Sequence, residues 1–116
     1  MRFLVCGSRD YAKLEYVDAF IDSLQDNDEV IVGDARGVDR RVLDYLVANL
    51  DIQVRCFPAD WKIHGNRGGL VRNLEMLDCM PHLIVVFWDG ESRGSKFMID
   101  TALKRHLNLR VIFDIP

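Results

Sequence analysis

The sequence predicts an α/β fold: a single three-layer αβα domain built on a five-stranded parallel sheet with strand order 3-2-1-4-5. Two observations carry that expectation. Strand-like apolar runs alternate with amphipathic helical patterns from end to end, which calls for a parallel sheet with helices on both faces. The run Leu83-Ile84-Val85-Val86-Phe87-Trp88 is apolar without interruption, as a central strand covered on both faces must be. The chain has 116 residues, 49% of them hydrophobic, enough for one domain with a proper core and no covalent staples.

The elements follow in order. Phe3 to Cys6 reads as a buried strand that stops at Gly7-Ser8-Arg9-Asp10. Leu14, Val17, Phe20, Ile21 and Leu24 fall at helical spacing, and the polar break from Gln25 to Asp28 ends that helix. Glu29 to Val32 is a second strand, and it runs into Gly33-Asp34-Ala35-Arg36-Gly37. Val38, Val42, Leu43, Leu46, Val47 and Leu50 mark a second helix with a wide apolar face. A third strand spans Ile52 to Phe57, where Pro58 stops it. Ala59 to Gly69 reads as a loop, and Gly68-Gly69 opens a third helix through Leu70, Val71, Leu74, Leu77 and Met80. After the strand Leu83–Trp88 comes the loop Asp89 to Ser95. A fourth helix turns Met98, Ile99, Ala102 and Leu103 inward, and a last strand runs from Arg110 to Ile115. Right-handed crossovers reduce the topologies to a Rossmann-like sheet. In such sheets ligands bind at the carboxyl ends of the strands, where the strand order reverses.

Ile31 to Arg40 concentrates the signal. Gly33 and Gly37 bracket a tight turn between strand and helix. A helix start there directs its amides and its dipole at an anion above the strand. Arg36 and Arg40 add guanidinium groups, which are well shaped for phosphate or carboxylate. An ordinary strand-to-helix turn with a surface arginine accounts for the same residues.

The other strand ends add to it. Gly7, Ser8 and Arg9 follow strand one. Gly33, Asp34, Ala35, Arg36, Gly37 and Asp39 follow strand two, and Asp60 and Trp61 follow strand three. Asp89, Gly90, Ser92, Arg93, Gly94 and Ser95 follow strand four, and Arg72 and Asn73 on the third helix reach across. Arginines, hydroxyls and glycine turns on one rim suit a phosphorylated ligand, with Trp61 or Trp88 available to stack on a base. Arg72, between Val71 and Leu74, needs a partner if it points inward; a bound anion or Asp39 would serve.

Other classes are discounted. The net charge of −3 gives no general basic field for nucleic acid. His64, His82 and His106 are scattered, and no Cys/His spacing resembles a zinc site, so no metal and no cofactor is expected. There is no G-x-G-x-x-G after strand one, no G-x-x-x-x-G-K-[ST] and no nucleophile elbow. The three cysteines, an odd number, suit buried reduced thiols and a cytoplasmic location. No signal peptide or membrane-length apolar run is visible, so no membrane partner is expected. The apolar faces of four helices exceed what the sheet needs, which allows a homodimer.

Together, five motifs resemble the SLOG superfamily. They are Gly7-Ser8-Arg9, Gly33-x-Ala35-x-Gly37-Val38-Asp39, Phe57-Pro58-Ala59-Asp60-Trp61, Arg72-Asn73, and Trp88-Asp89-Gly90-x-Ser92-x-Gly94-Ser95. This group of Rossmann-like domains includes the DprA (Smf) DNA-processing proteins and the LOG phosphoribohydrolases. Its small stand-alone YspA- and YpsA-like members, of unknown function, are the most similar. The resemblance implies a site for a nucleotide or nucleotide-derived phosphorylated ligand, formed by these turns, in a binding or sensing domain. A LOG-like enzyme cleaving an N-glycosidic bond is the first alternative. In the LOG motif P-G-G-x-G-T-x-x-E, Gly94-Ser95 stands at G-T, Arg72 at the arginine of the preceding helix, and Met98 at the glutamate. Methionine is neither an acid nor a base, which leaves Arg72, Asp39, Asp89 or Asp100 as catalytic candidates, with none selected. Single-stranded nucleic-acid binding, as in DprA-like domains, is the second alternative; the acidic net charge argues against it.

Overall fold

The computed structural model describes residues 1–48 and 51–115. Five strands, β1 (Arg2–Gly7), β2 (Glu29–Gly33), β3 (Gln53–Phe57), β4 (Leu83–Trp88) and β5 (Leu109–Phe113), form one sheet in the order β3-β2-β1-β4-β5. Every pairing is parallel, with Leu4 opposite Ile31 on one side and Ile84 on the other. The α/β fold and the strand order are those the sequence predicts.

Five helices connect the strands: α1 (Leu14–Asp22), α2 (Val38–Leu46), α3 (Trp61–His64), α4 (Gly68–Leu77) and α5 (Arg93–Lys104). Alternation along each strand sends side chains to opposite faces, so two cores form. Phe3, Val5, Val30, Val32, Val85 and Phe87 meet Val17 and Ile21 of α1 and Val38 and Val42 of α2. Leu4, Cys6, Ile31, Ile84 and Val86 meet Met76 and Leu77 of α4 and Met98 and Ala102 of α5. Residues such as Leu4, Val5, Ile84 and Val85 are sealed from solvent, which is why β1 and β4 read as continuous apolar runs.

Six details differ from the sequence reading, and two of them are single residues: Leu103 on α5 is exposed and not turned inward, and Met80 lies beyond the end of α4 and is exposed. The segment read as a loop from Ala59 to Gly69 contains α3 and a 3-10 turn, Gly65–Arg67. Four helical residues are too few to show a period; a cap signals the helix instead, with Asp60 Oδ1 accepting from Ile63 N at 3.1 Å. The apolar face of α2 ends earlier than expected, because Val47 lies outside the helix and is exposed; Leu50 falls outside the described residues. The last strand spans Leu109–Phe113, not Arg110–Ile115. All three cysteines are free, but only Cys6 is buried. Cys56 is exposed because β3 is an edge strand with most of its residues open to solvent. Among the described residues no helix is long and apolar enough to cross a membrane.

Candidate functional site

The chain runs β1 to β3 outward in one direction, then returns to place β4 on the other side of β1. That reversal leaves a crevice above the carboxyl ends of β1 and β4, where flanking loops diverge. A cavity of about 530 Å³ occupies it, within the usual range for a small-molecule site. Its floor is Cys6 and Gly7, and its walls come from the loops after β1, β2 and β4 and from the start of α4.

One wall is a polar cluster around Gly33. Arg72, on α4, is only 9% exposed, and Asp39, in the first turn of α2, only 4%. Both lie against the backbone of Gly33. A Cβ there would sit 2.5 Å from Arg72 Nη1 and 2.7 Å from Asp39 Oδ2, so glycine is what lets the two side chains approach. Arg72 Nε donates to Asn73 Oδ1 at 3.0 Å, and Nη1 donates to Asp34 Oδ1 at 3.1 Å. Its ion-pair partner is therefore Asp34, where the sequence suggested Asp39 or an anion. Asp39 Oδ2 accepts from Ala35 N at 3.1 Å, while Oδ1 is buried with no hydrogen-bond partner. Burial raises the Asp39 carboxyl from 3.8 to about 6, against the opposing pull of the Arg72 guanidinium.

A second wall is the loop from β4 to α5. Asp89 Oδ1 accepts from Glu91 N and Ser92 N, each at 2.9 Å, which closes a turn with Gly90 at φ +86°. Burial raises the Asp89 carboxyl, but hydrogen bonding from the Glu91 and Ser92 amides, from Ser8 and from its own backbone amide together outweighs it and holds it below its ordinary value. Ser92 caps α5 by accepting from Ser95 N at 3.4 Å. Gly94 leaves open space where a side chain would stand. The thiol of Cys6 is pushed strongly upward by burial, so it stays protonated.

The rim is mixed in charge. Arg9, Arg36 and Arg93 line it together with Asp10 and Glu91, and Arg36 Nη2 lies 3.6 Å from Asp10 Oδ1 across the mouth. Trp61, 50% exposed, packs its ring over Gly68 and Gly69 and forms another part of the wall.

No family model and no solved structure matches the chain. It is similar to the Gene 61 protein of Mycobacterium phage D29, with 30% identity over 111 residues covering 89% of each chain. The chain belongs to the Gene 61 protein family.

In this Gene 61 family chain, thirteen of the residues singled out in the sequence line the cavity. They are Gly7, Arg9, Ala35, Arg36, Asp39, Trp61, Arg72, Asn73, Asp89, Ser92, Arg93, Gly94 and Ser95. Six others do not line it. Ser8 is buried behind the wall, where its Oγ accepts from Asp89 N at 3.0 Å and sits 3.5 Å from Ser95 Oγ. Gly33 makes room for Arg72 and Asp39, and Asp34 is spent on Arg72 and on Ala59 N. Gly37, at φ +81°, packs on the Ser8 and Arg9 backbone. Asp60 caps α3, and Gly90 serves its turn. Trp88 is directed elsewhere: its Nε1 donates to Ser92 O, and its ring meets Phe113, so it is no base platform. Met98 is fully buried in the core.

Cys6, Asp10, Asn66, Gly69, Leu70 and Glu91 also line the cavity. Glu91 stood in a loop already marked, and Asp10 stood next to Arg9. Nothing in the sequence signals Cys6, Asn66 or Leu70, because proximity to the crevice comes from packing.

Proposed function

We propose that this protein binds or senses a nucleotide or nucleotide-derived phosphorylated ligand in the crevice at the carboxyl edge of the sheet, as a SLOG-like domain. The observation that carries the reading is the cavity itself. It gathers Arg9, Arg36, Arg72 and Arg93, the open start of α5 at Gly94 and an exposed indole at Trp61 around one volume. Guanidinium groups and helix-start amides serve a phosphate, and an indole face serves a base. The acidic rim residues Asp10 and Glu91 disfavour a continuous phosphodiester backbone. A binding role accords with Met98, which places no carboxylate at the position of the LOG glutamate.

One observation favours a second reading, a nucleotide N-glycosidase. Asp39 is a buried carboxyl beside Arg72 with its proton affinity raised to about 6, the kind of group used for proton transfer.

A thermal-shift screen of nucleotides, with mass spectrometry of each mixture after incubation, tests both. A bound nucleotide raises the melting temperature by mass action and is recovered intact. Arg72→Ala and Arg36→Ala are expected to remove the shift while the fold survives; an undiminished shift in both moves the ligand out of this cavity. Recovery of free base and sugar phosphate selects the enzyme.

A further inference from the structure

We infer that Asp39 and Arg72 together hold a sugar hydroxyl of the ligand, so that the crevice selects ribonucleotides over nucleotides lacking the vicinal diol. The inference rests on the nucleotide reading above and narrows it to a ligand class.

Hydrogen bonding in the cavity wall is unbalanced. Asp39 is 4% exposed, and its Oδ1 has no hydrogen-bond partner. A buried acceptor without a donor is costly, and native sites rarely leave one without a reason. Three nearby donors are already committed. Ala35 N serves Asp39 Oδ2, Arg72 Nε serves Asn73, and Arg72 Nη1 serves Asp34 and the Phe57 carbonyl. Arg72 Nη2 makes no hydrogen bond among the described residues. It lies 3.8 Å from the place a Gly69 Cβ would occupy, on the cavity side of α4.

The side chains of Asp39 and Arg72 both line the cavity and both pack on Gly33, and between them they hold one buried unmet acceptor and one unmet donor. A phosphate oxygen satisfies the arginine but carries no proton for the carboxylate. A hydroxyl satisfies both, since its oxygen accepts from Nη2 and its proton goes to Oδ1. The neighbouring indole of Trp61 also stands beside Gly69, 3.5 Å from the same Cβ position. A base stacked there would place its attached sugar next to the Arg72–Asp39 pair. The arginines of the rim and the start of α5 remain for the phosphate.

Isothermal titration tests this with the four ribonucleoside 5′-monophosphates and their 2′,3′-dideoxy counterparts. Hydrogen bonds to charged groups translate into a preference of about tenfold or more for the ribo form. Asp39→Asn keeps an acceptor for Ala35 N and replaces Oδ1 by a donor. It is expected to weaken ribonucleotide binding to the dideoxy level while leaving dideoxy binding unchanged, with circular dichroism confirming the fold. Equal affinity of ribo and dideoxy forms for the unaltered protein overturns the hydroxyl assignment and leaves the nucleotide reading standing. So does an Asp39→Asn variant that keeps the ribo preference. An Asp39→Asn variant that changes which base is preferred, with the ribo-to-dideoxy ratio near one throughout, also overturns it and places a base edge on Asp39. Binding of none of the eight compounds overturns both readings.

Discussion

Asp39 carries the most specific consequence at the scale of single residues. Its carboxyl holds a proton more tightly in the folded protein than in the unfolded chain, about 6 against 3.8. Between those values the unfolded state binds fewer protons, so folding stability falls as pH rises from about 4 to about 6 and is then level. The span corresponds to about 3 kcal/mol at most. Asp39→Asn removes this slope. In denaturant titrations across that window, the variant is expected to gain on the unaltered protein with each step up in pH. A constant difference between the two would show that Asp39 is ionised throughout. The same cluster explains Gly33. A methyl group there would meet both Arg72 and Asp39, so the glycine serves side-chain packing and not a turn. Its sequence neighbour Asp34, marked as a ligand contact, is taken up by holding Arg72.

At the scale of elements, the turn between β2 and α2 depends on Gly37. Its φ of +81° is costly for any residue with a Cβ, and its Cβ position is blocked by the Ser8 and Arg9 backbone. Gly37→Ala is therefore expected to cost at least about 1–3 kcal/mol, measured as a lowered urea midpoint at unchanged slope. A loss below half a kcal/mol would show that the β1–α1 loop yields easily. Helix α3 is the contrasting case. It has four residues, an aspartate cap and a tryptophan laid on the two glycines that open α4. Gly68 and Gly69, which the sequence presents as a helix start, are also the platform for Trp61. The indole reaches the cavity wall through that packing, not through any helical pattern of its own.

Across the whole molecule, the two cores share one sheet. β1 and β4 contribute alternate residues to the α1–α2 layer and to the α4–α5 layer. The radius of gyration, 13.1 Å, is close to the roughly 13 Å of a compact domain of this length. Neither layer has a core without the sheet, so both are expected to unfold together. Far-UV circular dichroism, following the helices of both layers, and tryptophan fluorescence, following Trp61 and Trp88 on the α4–α5 side, should give coincident urea transitions. Separate midpoints would show that the layers are independent units.

The fold was readable because its determinants are local and repetitive. Helical spacing in residues 14–24, the unbroken run Leu83–Trp88 and the glycine turns after β1 and β2 each specify an element. Alternation of elements, combined with right-handed crossovers, then leads to the strand order. The rim of the crevice was readable too, since strand ends are fixed once strands are placed. What lies between those ends was not. That Arg72 pairs with Asp34, that Asp60 caps a short helix, that Trp88 turns away while Trp61 faces the cavity, and that Asp39 keeps an unmet oxygen all depend on side chains from different elements meeting in space. Such encounters are set by packing across a sheet, where partners lie tens of residues apart and leave no periodic trace in the chain.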